Sequence, residues 1–388
     1  MPVRHAAGAF WESAPELKCT RCTLPVDTPP GAGIITSEME TGSRGGMDTA
    51  YVYDPVYLEH DLPSHPENAR RLQSILHTLE REEMLERLKL LEPRPATGEE
   101  LQRVHTPSHV ERVRRAAEAG GGYLDPDTYV APRSFEAALM AAGGLVRAVE
   151  AVLAGEVANG FALVRPPGHH ATAMRAMGFC LFNNVAVAAQ AALAQGQVER
   201  IFIADFDVHH GNGTQAAFAQ DPSVFYFSTH QYPFYPGTGR WNETGHGTGQ
   251  GTVLNVPLPP RVGDAGYAEV FTELVWPLAE RFQPDLLLVS AGYDAHWSDP
   301  LAAMNLSLTG YAWLGRELVH MAEQLCEGRI VFTLEGGYEL DVLACGVLNA
   351  FYTLLGDDTI ADPIGPSPRR ERPVDDLVAR LKKAHGLN

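Results

Sequence analysis

Cysteine is scarce in this chain, with five among 388 residues. An odd number of cysteines in a chain of this length does not indicate a disulfide framework. No run of 18 apolar residues occurs, so no transmembrane helix is predicted. The N-terminus also lacks the apolar core of a secretion signal. We therefore expect a soluble protein of the cytoplasm.

Basic residues are also few. The chain has 30 lysines and arginines against 48 aspartates and glutamates, which gives a formal net charge of −18. This balance argues against nucleic-acid binding through a basic surface. It instead favours cationic partners such as lysine-rich peptides or polyamines. Composition leaves the oligomeric state open.

The two ends of the chain differ from its middle. Residues 1–46 are rich in Gly, Pro, Thr and Ser without a sustained period, and we predict a disordered N-terminal extension there. Cys19 and Cys22 form a lone CxxC, which lacks the second ligand pair that a structural zinc site needs. We predict a single domain over 47–388, in which 363–373 is a linker to a short C-terminal amphipathic helix.

Helices and strand-like runs alternate in between. Apolar residues at helical spacing predict helices from Arg71, over 135–153 and over 185–193. Several of the strand-like runs are apolar throughout, as is typical of parallel strands covered on both faces. We therefore predict a three-layer α/β domain with a central, mostly parallel sheet. The predicted strands are Phe161–Val164, Ile201–Ala204, Val224–Phe227, Leu286–Val289 and Ile330–Leu334.

Polar clusters follow four of these strands. In a parallel sheet, the loops at the carboxyl ends of the strands meet at one edge, where ligands bind. The four clusters are Arg165-Pro-Pro-Gly-His-His170, Asp205-Phe-Asp-Val-His-His-Gly-Asn212, Ser290-Ala-Gly-Tyr-Asp-Ala-His296 and Glu335-Gly-Gly-Tyr338. Four such clusters at one edge indicate an active site.

The second cluster has the pattern of a metal site. In extended backbone Asp205, Asp207 and His209 share one face, and carboxylates and an imidazole side by side favour a cation between them. The alternative is that one carboxylate caps the next helix and His209 is an ordinary buried histidine. Asp294 adds a third ligand, and one His with two Asp leaves an open position on zinc, as hydrolysis requires.

The paired histidines suit acid–base chemistry beside such a metal. A carboxylate behind one imidazole favours its charged form, and an amide behind the other leaves it able to accept a proton. Asp205 and Asn212 are available as these partners of His169 and His170. Tyr338 could donate a hydrogen bond to a developing oxyanion, or be an ordinary turn tyrosine.

With these clusters in order, the chain resembles the zinc-dependent histone deacetylases, in the superfamily of acetylpolyamine amidohydrolases and the arginase-like fold. The resemblance extends from about Tyr51 to Leu355. It rests on Ser64-His-Pro-Glu67, Arg165-Pro-Pro-Gly-His-His170, Gly178-Phe-Cys-Leu-Phe-Asn-Asn184, Asp205–Asn212, Tyr235-Pro-Gly-Thr-Gly239, Ala291-Gly-Tyr-Asp294 and Glu335-Gly-Gly-Tyr338.

The resemblance implies roles for individual residues and two bound ions. Zinc would be held by Asp207, His209 and Asp294, and a structural potassium ion by Asp205, Asp207, His209, Ser228 and Thr229. His170 would be the general base and then the acid, His169 its electrostatic partner backed by Asp205, and Tyr338 would polarise the acetyl carbonyl. The lysine tunnel would be formed at Gly178, Phe179 and either Phe234 or Tyr235. At its rim, Asp127 would accept a substrate backbone amide and Leu301 would lie at the mouth.

One departure separates branches of the family. Asn212 stands where class I members carry Asp, and Glu335-Gly-Gly-Tyr338 is also class II-like, so the resemblance is to class II. The expected activity is removal of acetyl groups from acetyl-lysine in proteins or peptides. An acetylpolyamine deacetylase, or a silent acetyl-lysine-binding module, are the alternatives. Arginase-type chemistry would need two manganese ions and more acidic ligands, and is not favoured.

Overall fold

A computed structural model describes residues 48–387. The predicted extension over 1–46 and the Cys19/Cys22 pair lie outside the described residues. Eight parallel strands form one sheet in the order β2-β1-β5-β10-β9-β6-β7-β8, and β3 pairs with β4 as a small antiparallel hairpin. The strands are β1 (Thr49–Val52), β2 (Lys89–Leu91), β3 (Gly122–Tyr123), β4 (Tyr129–Val130), β5 (Asn159–Ala162), β6 (Ile201–Asp205), β7 (Val224–Gln231), β8 (Val253–Leu258), β9 (Leu286–Ala291) and β10 (Ile330–Leu334).

Helices surround this sheet. Every residue of β5, β6, β9 and β10 is buried, which is why these strands are mostly apolar instead of alternating. The three-layer α/β prediction with a mostly parallel sheet is therefore confirmed. The helices are α1 (Ala69–Arg81), α2 (Gly98–Gln102), α3 (Pro107–Glu118), α4 (Ser134–Leu153), α5 (Asn184–Ala194), α6 (Asn212–Phe218), α7 (Asp264–Val270), α8 (Trp276–Phe282), α9 (Leu308–Leu325), α10 (Leu340–Leu354) and α11 (Asp375–His385). Within residues 48–387, none of these helices is both long and apolar enough to cross a membrane.

Four of the five predicted strands have different bounds in the structure, and two of them, β6 and β9, end slightly later than predicted, at Asp205 and Ala291. The strand predicted from Phe161 begins at Asn159 and ends at Ala162. The buried Asn159 side chain is held there by its amide nitrogen, which donates to the Leu354 carbonyl at 3.0 Å. The strand predicted to end at Phe227 continues to Gln231. Its polar end stays extended because these residues pair with β8 and are buried.

The segment 363–373 has neither helix nor strand, but it is anchored to the domain. The indole Nε1 of Trp297 donates to the Gly365 carbonyl at 2.9 Å. Further along, the Arg372 N–H donates to the Arg261 carbonyl at 2.9 Å. The segment therefore packs against the loops after β8 and β9 while it leads to α11.

Candidate active site

The four polar clusters lie at the carboxyl ends of four neighbouring strands. β5, β10, β9 and β6 are adjacent in the sheet, so the loops that follow them converge. A pocket opens at this edge. It is lined by Asp127, Pro167, His169, His170, Gly178, Phe179, His209, Phe234, Tyr235, Leu301, Gly336 and Tyr338.

Three donor atoms face one another at the floor of the pocket. The ligand atoms of Asp207, His209 and Asp294 lie within 4.8 Å of one another. The Nδ1 atom of His209 is 3.2 Å from Oδ1 of Asp207 and 3.1 Å from Oδ2 of Asp294. The structure therefore brings together the three residues that the sequence nominated as metal ligands.

Backbone hydrogen bonds orient both carboxylates. Oδ2 of Asp207 accepts the Gly336 N–H at 2.7 Å, and Oδ1 of Asp294 accepts the Val208 N–H at 2.9 Å. The other oxygen of each faces His209. A side chain at position 336 would clash with both carboxylates, which explains the glycine there. Two fully buried carboxylates this close repel each other unless a cation lies between them. One imidazole and two carboxylate oxygens are a donor set that suits zinc with an open position.

The two adjacent histidines have different partners. Nδ1 of His169 lies 3.0 Å from Oδ2 of Asp205, and the same oxygen accepts the Tyr226 hydroxyl at 3.0 Å. Nδ1 of His170 lies 2.8 Å from Oδ1 of Asn212. The carboxylate and the amide that the sequence offered as partners therefore each face one imidazole.

These surroundings separate the pKa values of the two imidazoles. Burial disfavours the charged form of His169, but the carboxylates of Asp205 and Asp207 outweigh it and raise its pKa to about 10. Burial, together with the neighbouring imidazoles of His169 and His209, holds the pKa of His170 well below its usual value. One ring thus favours the cation and the other the neutral base.

Tyr338 lines the same pocket as these rings. Its ring packs edge-on against Phe179, with centroids 5.9 Å apart, and the Arg71 guanidinium lies 5.1 Å from its centroid. Burial raises the pKa of the Tyr338 phenol well above its usual value. The hydroxyl therefore stays protonated and can act as a donor.

Aromatic rings form the upper walls. Phe179 has a positive φ of 69°, which is unusual for a residue with a side chain; its N–H is held by the Thr128 hydroxyl at 3.1 Å. Phe234 stacks on His209, and Tyr235 packs edge-on against His170. The sequence offered Phe234 and Tyr235 as alternatives, and the structure places both on the pocket.

Comparisons with known proteins identify the family. The family model "Histone deacetylase domain" matches residues 65–354. The chain belongs to the histone deacetylase family. It is 41% identical to "Histone deacetylase 14, chloroplastic" of Arabidopsis thaliana, over 85% of this chain and 83% of that one. It is 44% identical to a "Probable deacetylase" of Archaeoglobus fulgidus, over 76% and 82% of the two chains.

A solved structure agrees with this assignment. The crystal structure of the HDA15 HD domain is 38% identical in sequence and superimposes with a TM-score of 0.80, covering 87% of this chain and 94% of that chain. The deacetylase-like fold predicted from the motifs is confirmed by this match.

Of the residues proposed for potassium, Asp205 ends β6, Asp207 and His209 lie in the loop after it, and Ser228 and Thr229 lie on β7. In the β6–β7 pair, Asp205 is in register with Ser228. The Ser228 hydroxyl lies 3.0 Å from Nδ1 of His230. The Thr229 hydroxyl is buried and has no hydrogen-bond partner in the described part of the chain. Potassium binding here stays a proposal.

Glu335 has a place in the site that sequence reasoning missed. Its Oε2 atom accepts the N–H groups of Gly168 and His169 at 2.7 and 3.2 Å, and Oε1 accepts the Ser290 hydroxyl at 3.1 Å. Glu335 thus holds the backbone that carries the histidine pair. The only available signal was a glutamate at the end of an apolar strand, which does not reveal its partners.

Proposed function

We propose that this protein is a zinc-dependent amidohydrolase that removes acetyl groups from lysine side chains of peptides or proteins and releases acetate. One observation carries the proposal: His170, Tyr338 and His209 of the three-donor metal group all line one aromatic-walled pocket. Membership of the histone deacetylase family supports deacetylation in general.

Asp207, His209 and Asp294 would hold the zinc ion. When bound there, zinc would lower the pKa of a water molecule to about 7 and polarise the acetyl carbonyl. His209 would contribute a nitrogen and each aspartate a carboxylate oxygen, and the N–H groups of Gly336 and Val208 orient the two carboxylates.

The chain's own groups then move the protons. The Asn212 amide oxygen fixes the hydrogen of His170 on Nδ1, so Nε2 can take a proton from the attacking water and later give it to the leaving amine. His169, paired with Asp205, supplies positive charge beside the developing oxyanion. The Tyr338 hydroxyl donates a hydrogen bond to that oxyanion.

The pocket walls favour a straight aliphatic chain. Phe179 and Phe234 would contact the methylenes of the lysine stem, since apolar contact is what these rings offer. At the rim, the Asp127 carboxylate would accept a backbone N–H of the substrate. An acetyl-lysine peptide offers both features.

Acetylated polyamines are the second candidate, because the chain is strongly acidic and Asp125 lies near Asp127 at the rim. Leu301, however, places an apolar side chain on the pocket where a carboxylate would be needed to pair with a secondary ammonium. The silent-module alternative is not favoured, because every position needed for hydrolysis carries a competent side chain.

A direct comparison of substrates tests the proposal. Purified protein is assayed against acetyl-lysine peptides and acetylated spermidine side by side. We expect a higher kcat/KM for the peptides. If the protein hydrolyses neither substrate, the deacetylase proposal is overturned. If kcat/KM is higher for the acetylated polyamine than for the peptides, the choice of substrate is overturned.

The cytoplasm is our proposed location. The name of the Arabidopsis relative includes "chloroplastic", so another compartment is the competing outcome. Microscopy of the full chain carrying a C-terminal fluorescent tag would distinguish them.

A further inference from the structure

Asp299 lies between β9 and α9, and its carboxylate joins two parts of the pocket. It is only 5% exposed. Its Oδ2 atom accepts the N–H groups of Tyr338 and Glu339, at 2.8 and 3.2 Å. Its Oδ1 atom accepts the N–H of Leu301 at 2.9 Å. One buried carboxylate therefore holds the backbone of a floor residue and of a rim residue.

The peptide unit before Tyr338 is held from both sides. Its carbonyl, on Gly337, accepts Nε of Arg71 at 2.7 Å, and its N–H donates to Asp299. Two glycines precede Tyr338, and Gly337 has a positive φ of 118°. Glycine restricts the backbone little, so the orientation of this unit depends on its external partners.

Removing the Asp299 carboxylate from water costs free energy, and a side chain that only filled space would not need to be charged. Burial and the nearby Asp294 charge raise the pKa of Asp299 to about 7, and the three N–H donors act in the opposite direction. A carboxylate has only acceptors, so it can satisfy three converging N–H groups where an amide of the same shape could not.

We propose that Asp299 is a positioning residue that sets the orientation of Tyr338 at the floor of the pocket and of Leu301 at its rim. This inference rests on the proposed deacetylase function for its kinetic consequences. Asp299 neither lines the pocket nor belongs to the metal group; it acts through the backbone of the two residues that it holds.

Two substitutions separate the contact of Asp299 with the Tyr338 backbone from its contact with the Leu301 backbone. Asp299→Asn keeps one acceptor oxygen. We expect this oxygen to face the N–H groups of Tyr338 and Glu339, because it keeps two hydrogen bonds there and would keep only one toward Leu301. The NH₂ group then faces the Leu301 N–H and cannot accept from it. We therefore expect a raised KM and a kcat near that of wild type. Asp299→Ala removes all three acceptors. We expect kcat to fall by about 10- to 100-fold, the scale of a misplaced catalytic group, with a raised KM as well.

Asp285 offers a matched control. Its Oδ2 atom also accepts two backbone N–H groups, those of Glu199 and Arg200, at 2.9 and 2.8 Å. These lie at the amino end of β6, away from the pocket. Asp285→Ala should lower the melting temperature without changing kcat or KM, which separates loss of stability from loss of positioning.

The decisive kinetic experiment combines Asp299→Ala with Tyr338→Phe. If Asp299 acts through the tyrosine hydroxyl, its removal should cost less than about twofold in kcat once that hydroxyl is gone, because residues that act as a unit are not additive. An equal fold-loss in both backgrounds would overturn the inference, as would an Asp299→Ala enzyme with wild-type kcat. A Tyr338→Phe enzyme with wild-type kcat would instead count against the proposed mechanism.

Hydrogen exchange tests whether Asp299 positions Tyr338, and it does so even if the variants have no measurable activity. Amide exchange is measured by mass spectrometry on a peptide covering 336–341, in wild type and in the Asp299 and Asp285 variants at equal zinc content. We expect the Tyr338 and Glu339 amides to exchange faster in Asp299→Ala only. Unchanged protection in that variant would show that Asp299 does not hold this loop.

Discussion

The Nδ1 atom of His170 lies 2.8 Å from the Oδ1 atom of Asn212. The amide nitrogen of Asn212 is used elsewhere, since it donates to the His170 carbonyl and to Sδ of Met177 at 3.4 and 3.5 Å. The amide is therefore oriented with its oxygen toward the ring, and His170 must carry its hydrogen on Nδ1. The lone pair is then on Nε2 of His170, a residue that lines the pocket.

Replacing Asn212 tests this orientation. Asn212→Leu removes the acceptor, so the hydrogen of His170 is no longer held on Nδ1, and we expect kcat to fall by about 10- to 100-fold with little change in KM. Asn212→Asp keeps an oxygen at the same place and serves as the control, with a smaller loss. Steady-state kinetics on an acetyl-lysine peptide measures kcat of both variants. Equal losses of kcat would show that the acceptor oxygen at position 212 does not assist catalysis.

Removal of the Tyr338 hydroxyl should mainly affect turnover. Tyr338→Phe leaves the ring against Phe179 and takes away one oxyanion donor, which predicts a fall in kcat of roughly 10²- to 10³-fold. Zinc content, measured by mass spectrometry, should match wild type. A fall of less than about threefold would mean that this tyrosine does not assist the carbonyl.

Loss of one proposed ligand should release the metal. Asp294→Ala removes an oxygen from the group that also contains Asp207 and His209, so both bound zinc and hydrolysis should fall, whereas Asp285→Ala should change neither. Chelation of the wild-type protein should abolish activity, and added zinc should restore it. Full activity in a metal-free preparation would contradict the metal assignment.

The rim residue Leu301 should set the choice between substrates. A carboxylate at this position could pair with a secondary ammonium partway along a polyamine, so Leu301→Glu should shift selectivity toward acetylated spermidine by about 1–2 kcal/mol. Leu301→Gln has nearly the same shape without the charge and should shift it far less. Ratios of kcat/KM for the two substrates give the measurement, and equal shifts in both variants would exclude a charge effect.

A buried histidine away from the pocket makes stability depend on pH. Burial, together with the His109 charge, lowers the pKa of His105 to about 3. Its Nδ1 atom lies 2.9 Å from the Thr172 carbonyl, and its Nε2 atom accepts the Asn183 N–H at 2.9 Å. Protonation of Nε2 would remove that acceptor.

The direction in which the free energy of unfolding changes with pH follows from the pKa of His105 in the two states. The unfolded state binds the His105 proton near pH 6.5, and the folded state only near pH 3. The contribution to stability is therefore present above pH 6.5 and is lost as the pH falls toward 3. Between about pH 6 and pH 4, the free energy of unfolding should fall more steeply in wild type than in His105→Gln, by up to about 1.4 kcal/mol per pH unit. Urea unfolding at several pH values measures both slopes; parallel slopes would show that His105 does not carry this effect.

Much of the metal group could be predicted from the sequence. Asp207 and His209 follow directly after β6, and Asp294 follows β9, so the parallel sheet places them at one edge even though the backbone bends after Asp205. The histidine pair was predictable for the same reason. In these cases the signal lies in side-chain type and in distance from a strand end.

The anchors of the site could not be predicted in this way. Asp299 and Glu335 bind backbone N–H groups of segments that are distant in sequence, and every residue except proline carries such a group. The amino-acid sequence around these N–H groups therefore does not identify them as the partners of Asp299 or Glu335. The segment 363–373 shows the same limit, since its composition predicts a linker while tertiary hydrogen bonds fix it to the loops after β8 and β9.

The sequence by itself determined the chemistry of this protein: which side chains can bind a metal or carry a proton, and at which edge of the sheet they gather. Only the tertiary structure decided how those side chains are aimed. Asn212 orients His170, Glu335 holds the loop of His169, and Asp299 holds Tyr338. The physical reason is that strand alternation places a residue on a face, whereas its orientation depends on hydrogen bonds that exist only after distant segments have packed together.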